Sequence, residues 1–169
     1  MRLLSCVLLL LCWPNASEYA AKASATSLSE RWSLNGKRAL VTGGTKGLGR
    51  AIVEELASLG ALVLTCARTP SDVDACQAAW REMGLDVTAV VADVSRPEDR
   101  QALLQKAAEL FEGRLDVLVN NVGFNIRKAM VDYSAQEFSS LMDTNFNSLF
   151  LLTQVNFNSL LLPTQVTRT

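Results

Sequence analysis

The chain has 169 residues, of which 49% are apolar and 20% charged, with a net charge of −1. That length suits one domain with a real core, the composition excludes generic disorder, and the charge leaves no electrostatic footprint for nucleic acid. Histidine is absent, which excludes Ser-His-Asp and Cys-His nucleophile systems and His-ligated metals. The cysteines at 6, 12, 66 and 76 form no CxxC pair, so neither a zinc site nor a disulfide framework is expected.

Residues 1–30 are set apart as a leader. Met1-Arg2 precedes an apolar run from Leu3 to Trp13, the n-region and h-region of a secretory signal peptide. The run is too short to span a bilayer, which needs about 20 residues. Small residues at Ala21, Ala23 and Ala25 offer cleavage sites. The Ser/Ala-rich stretch at 14–29 is loosely transit-peptide-like, so plastid and cytoplasmic destinations stay open beside the secretory one.

From residue 38 the pattern alternates. Arg38–Thr42 reads as an apolar strand ahead of a Gly-rich turn. Leu48 to Leu59 has helical spacing, with Leu48, Ile52, Leu56 and Leu59 on the apolar face and Gly60 as the cap. Ala61–Cys66 is a second strand, 71–83 a helix ended by Gly84, and Val87–Ala92 a third strand. Ser95 is the expected N-cap of a helix over 96–112, with Pro97 and Glu98 in its first turn. Leu115–Asn120 is a fourth strand. Ser134 and Glu137 form a capping box that opens a helix through the 140s and 150s. Continuous apolar strands separated by amphipathic helices indicate a parallel sheet covered on both faces. The expected fold is therefore α/β, a Rossmann-like doubly wound sheet that is incomplete at four strands and four helices.

The tail repeats itself. Residues 145–155 are followed at once by 156–166, with nine of eleven positions identical. One duplicated unit is not a solenoid. It reads as a tandem duplication, with an irregular tail over 156–169, or else as an extended interaction helix that Pro163 ends.

Thr42-Gly43-Gly44-Thr45-Lys46-Gly47-Leu48-Gly49 lies between the first strand and the first helix. Glycines there allow a tight turn and let the backbone approach a pyrophosphate at a helix N-terminus, where amides and dipole favour an anion. The strand-turn-helix context makes the pattern specific, and without a GK[ST] ending it is not a Walker A loop. The second strand ends in Arg68, where an NAD site would carry Asp or Glu for the ribose 2′-hydroxyl. Arg68 and Lys46 together suit a 2′-phosphate, so NADP(H) is the expected cofactor. The plainer alternative is Arg68 as a solvated residue in the Arg68-Thr69-Pro70 turn, with Asp72 and Asp74 as helix-start acids. Asp93-Val94 and Asn120-Asn121-Val122-Gly123 follow the third and fourth strands, where ligands bind in open α/β sheets and where caps are also common.

These motifs, with Asn145 in Thr144-Asn145-Phe146, resemble the classical short-chain dehydrogenases/reductases. Arg31-Trp32-Ser33-Leu34 and the segment from Asn121 to Lys128 resemble the plant tropinone-reductase-like subgroup, and the resemblance covers about 31–155. It implies an NADP(H)-dependent oxidoreductase acting on a small carbonyl or alcohol. Gly43, Gly47 and Gly49 would hold the pyrophosphate, Lys46 and Arg68 would select NADP, and Asp93 and Val94 would flank the adenine. Asn121 and Gly123 would line the cleft, and Asn145, with Asn156 as a competitor from the repeat, would be the asparagine that orders a proton-relay water. The helix after Ser134 would serve as an interface to a second copy or a relative.

The departure matters equally. The family pattern places a catalytic Ser on a fifth strand and a Tyr-x-x-x-Lys on the next helix. Here the tyrosines are Tyr19 and Tyr133, Glu137 stands four residues beyond the latter, and no lysine follows Lys128. Ser139 and Ser140 lie on the wrong element. The expectation is a C-terminally truncated, catalytically incomplete copy. The alternatives are a non-catalytic NADP-binding or dimerising fragment, or a product without function.

Overall fold

The computed structural model describes residues 31–161, with side chains through Gln154. The leader at 1–30 and residues 162–169, including Pro163, lie outside the described residues. The chain divides at residue 33/34 into two units. Of the first, only residues 31–33 are described; the second carries the sheet.

Four parallel strands form that sheet: β1 (Arg38–Thr42), β2 (Leu62–Ala67), β3 (Val87–Val91) and β4 (Val117–Val119), in the order β3-β2-β1-β4. The register sets Leu40 beside Leu64 and Leu118, and Leu64 beside Thr88. Between the strands run α1 (Gly47–Ser58), α2 (Pro70–Glu82) and α3 (Pro97–Leu110). After β4 come a short 3-10 turn (Met130–Asp132), α4 (Ala135–Met142), a π-helical segment (Asp143–Asn147) and α5 (Ser148–Leu161). This is the doubly wound arrangement expected from the pattern, with the strand order reversing between β1 and β4.

The two central strands, β1 and β2, are largely apolar because both of their faces are covered. Ala39, Val41 and Val63 point to one side and pack on Val53 and Ala57 of α1 and Cys76 and Trp80 of α2. Leu40, Leu64 and Cys66 point to the other and meet Leu103 and Ala107 of α3 and Leu152 of α5. Trp80 is fully enclosed, and its Nε1 donates to Glu54 Oε1 at 3.0 Å. The Arg50–Glu54 pair on α1, at 2.7 Å, is half-exposed. Such a pair contributes about 0.3–0.5 kcal/mol, against roughly 1.5–3 kcal/mol for each large apolar side chain buried, so packing fixes α1 on the sheet.

Several details differ from the sequence expectation. The buried stripe of α1 is Gly49, Val53 and Ala57. Leu48 is 72% exposed, and Ile52 and Leu56 only flank the core. The small residues win the inner face because they let the helix approach the strands closely. Ser95 is not the N-cap of α3. Arg96 holds that position without a side-chain cap, while the Ser95 hydroxyl donates to Asp93 Oδ1 at 2.7 Å. Pro97 and Glu98 do lie in the first turn. The Ser134–Glu137 capping box is present. Helix α5 continues to Leu161, so the first part of 156–169 is helical rather than irregular.

β4 is the shortest strand and pairs only with β1 among the described residues. On the helices beyond it, Phe138, Phe146 and Phe150 are each more than half exposed. The rings of Phe146 and Phe150 stack at 6.5 Å. Among the described residues no helix is long and apolar enough to cross a membrane.

Candidate functional site

At the carboxyl ends of the strands, where β1 and β4 diverge, lies a cleft of about 400 Å³. Such a switch point is where open α/β sheets bind ligands. Larger grooves lie elsewhere among the described residues. One of about 560 Å³ runs between α3 and α5, and one of about 640 Å³ lies along the start of α4. Neither touches the glycine loop, so the smaller cleft is the chemical candidate.

The glycine loop is held from three sides. Gly43 and Gly44 amides donate to the Cys66 carbonyl at 2.9 and 3.3 Å. Asn121 Nδ2 donates to the carbonyls of Thr42 and Gly43 at 3.0 and 3.1 Å. Cys76 Sγ donates to the Thr45 carbonyl at 3.3 Å. The Thr42 hydroxyl accepts the amides of Asn121 and Val122 at 3.0 and 3.2 Å, which stitches the end of β1 to the loop after β4. Gly49 packs so tightly that a Cβ there would stand 2.1 Å from the Gly43 carbonyl oxygen. Gly43 and Gly47 adopt φ of +72° and +53°, conformations that other residues rarely take.

That turn delivers the start of α1 to the cleft. The first amides of a helix have no partner within it. Lys46, the N-cap, offers no side-chain acceptor, and no acid lies in the first turn. Helices α2, α3 and α4 instead carry Asp72, Glu98 and Asp99, and Glu137 at their starts. The open end of α1 is thus suited to an external anion.

Of the residues singled out in the sequence, nine line the cleft. Gly43, Thr45 and Lys46 come from the glycine loop, Arg68 from the end of β2, Asp93 and Val94 from the end of β3, and Asn121, Val122 and Gly123 from the loop after β4. The others stand back from the wall. Thr42 and Gly49 are buried behind it, and Gly47 and Leu48 are exposed at the helix start. Asn120 points to α5, with Nδ2 donating to Thr153 Oγ1 at 3.2 Å and Oδ1 buried without a partner.

Asp93 is clamped. Its amide donates to Asp99 Oδ2 at 2.8 Å, and its Oδ1 accepts the Ser95 amide at 3.0 Å. The nearly buried Arg100 holds the Val94 carbonyl at 2.7 Å. Asn145, on the π-helical segment, uses both ends of its amide on Phe124. Oδ1 accepts the Phe124 amide at 2.9 Å, and Nδ2 donates to its carbonyl at 2.7 Å. Its side chain therefore fixes the loop after β4.

Seven further residues complete the wall, and the sequence had assigned none of them to the site: Cys66, Ala67, Thr69, Asp72, Ala92, Phe124 and Thr144. Burial pushes the Cys66 thiol up to about 11, so it stays protonated at neutral pH and is no nucleophile. Asp72 is more than a helix-start acid. Its Oδ2 lies 2.6 Å from Lys46 Nζ, and that ammonium holds the carboxyl below its ordinary range. The sequence shows a carboxylate in the first turn of the helix after β2 and a lysine in the glycine loop, but only the fold brings them together. Tyr133 lines the groove at the start of α4 and not the cleft, and its hydroxyl donates to the Ile126 carbonyl.

A doubly wound parallel sheet with a glycine turn opening onto an uncapped helix defines an α/β protein of the Rossmann-like class. The chain belongs to the short chain dehydrogenase family, which it matches over residues 37–165. It is similar to an Arabidopsis thaliana tropinone reductase homolog named as chloroplastic, at 56% identity over 80% of this chain and 42% of that protein. A tropinone reductase homolog of Datura stramonium is 47% identical over 73% of this chain and 46% of its own length. Among solved structures, a short chain dehydrogenase from Burkholderia cenocepacia in complex with NADP aligns with a TM-score of 0.69 at 32% identity, covering 75% of this chain and 52% of that one. The chain thus spans about half the length of the relatives it matches.

Proposed function

We propose that this chain is the cofactor-binding part of an NADP(H)-dependent short-chain oxidoreductase of the tropinone-reductase-like group, whose substrate is a small carbonyl or alcohol. The observation that carries the proposal is the cleft mouth, where the open start of α1, Lys46 and Arg68 converge. The residues present fit the group: unpartnered first-turn amides suit a pyrophosphate, and two cations suit a 2′-phosphate. The NADP named in the Burkholderia cenocepacia structure supports the same reading.

In this account Gly43, Gly47 and Gly49 let the backbone close on the pyrophosphate. Lys46 and Arg68 bind the 2′-phosphate, and the clamped Asp93-Val94 loop walls the adenine. Asn121 and Gly123 shape the floor toward the nicotinamide, which supplies or accepts the hydride. Asn145 positions that floor through Phe124. The sequence carries no Tyr-x-x-x-Lys, and the Tyr133 hydroxyl is committed to Ile126. This chain alone therefore binds cofactor without a residue to relay the substrate proton.

The test is one titration and one assay on the full chain. NADPH quenches intrinsic tryptophan fluorescence in a saturable manner, while NADPH oxidation in the presence of small ketones stays at the buffer rate. Ketone-dependent turnover linear in protein would overturn the catalytic half of the account, and no saturable binding would overturn the rest.

A second reading concerns association. The stacked, exposed Phe146 and Phe150 favour pairing through the helices after Ser134, with a second copy or a relative. The leader is proposed to be a targeting segment, and the chloroplastic name of the Arabidopsis relative favours the plastid over the secretory route. A fluorescent protein fused behind residues 1–36 should accumulate in plastids of leaf cells, and fluorescence in the secretory system would contradict that.

A further inference from the structure

The cleft mouth carries a charge that works against its apparent purpose. Lys46 and Asp72 both line it, and Nζ and Oδ2 meet at 2.6 Å. The Lys46 side chain is 74% exposed and that of Asp72 25%. Arg68, exposed at the same mouth, pairs with no carboxylate among the described residues. Asp72 stands in the first turn of α2, where an acid complements the helix dipole. That role needs no partner outside the helix. Here the carboxylate reaches the cation of another loop, 26 residues earlier in the chain.

We propose, resting on the NADP(H) reading above, that Asp72 is a specificity-determining residue: it neutralises Lys46 in the free chain, and a 2′-phosphate must compete with it for that cation. A phosphate monoester carries about two negative charges near neutral pH, so it outbids one carboxylate for the ammonium. The displaced Asp72 stays close and repels it. Arg68, with its planar fork and no internal partner, takes the phosphate first. A 2′-hydroxyl cannot displace Asp72 but can donate to it. The same carboxylate thus lowers the advantage of NADP(H) and leaves NAD(H) an acceptor.

Calorimetric titration of the full chain with NADP+ and NAD+ at low ionic strength tests this. Asp72→Asn should raise NADP+ affinity about five- to tenfold and leave NAD+ affinity equal or lower, with the gain shrinking as salt screens the charges. Asp72→Glu should keep the wild-type ratio. A role confined to the helix start would lower the thermal midpoint of Asp72→Asn without moving the NADP+/NAD+ ratio. That result would overturn the inference and leave NADP(H) binding standing. A wild-type chain that binds neither nucleotide would overturn the NADP(H) reading itself. Should Asp72→Asn fail to fold, Lys46→Gln and Arg68→Gln decide. Loss of more NADP+ affinity in Arg68→Gln supports a pre-neutralised Lys46, and an equal or greater loss in Lys46→Gln overturns it.

Discussion

Glu137 shows how much one carboxylate can organise. Its Oε2 accepts Lys128 Nζ at 2.5 Å and the Ser134 amide at 2.8 Å, while its own amide donates to Ser134 Oγ at 3.1 Å. Lys128 also lies over the Tyr133 ring at 5.3 Å. The hydrogen bond from Lys128, with help from Ser134, draws the Glu137 carboxyl down to about 2, against about 4.3 in an unfolded chain. A carboxyl depressed on folding stabilises the native state above its unfolded value and loses that contribution as pH falls through its folded one. Glu137→Gln should therefore be less stable than wild type by a constant margin above about pH 5. The margin should close between pH ~4.3 and 2 in urea denaturation at a series of pH values. A margin independent of pH across that window would contradict the assignment.

At the scale of elements, the strands were legible because both sheet faces are covered. Ala39, Leu40 and Val41 alternate sides, yet all are fully buried, so the sequence shows an unbroken apolar run. The capping box at Ser134 was legible because it is a local bond pattern. The inner face of α1 was not, because hydrophobicity points to Leu48 whereas close approach selects Gly49 and Ala57. The part played by Ser95 was missed for a similar reason: its hydroxyl donates to Asp93 Oδ1 instead of accepting a first-turn amide of α3. Nor does sequence spacing reveal that Asp72 faces Lys46, since that contact depends on how β1 and β2 align. The exposed aromatic surface beyond β4 carries its own expectation. Light scattering at tens of micromolar should give a mass above that of the 18.4 kDa monomer, and Phe146→Ser with Phe150→Ser should return it toward monomer. A monomeric wild type would contradict association through these helices.

For the molecule as a whole, the described fold builds one kind of site well. Three strand ends, a pinned glycine loop and an uncapped helix make a cleft whose walls are held by backbone hydrogen bonds and buried packing. Most of its wall could be read from the glycine pattern, Arg68, Asp93-Val94 and the Asn121–Gly123 loop, since each sits where a strand must end. The central claim is that this cleft binds a nicotinamide dinucleotide with a 2′-phosphate. Calorimetric titration of the full chain with NADP+ and, separately, NAD+ tests it most directly. Saturable one-to-one binding of NADP+, tighter than that of NAD+, is the result expected. Binding of NAD+ with equal or greater affinity, or of neither, would contradict it.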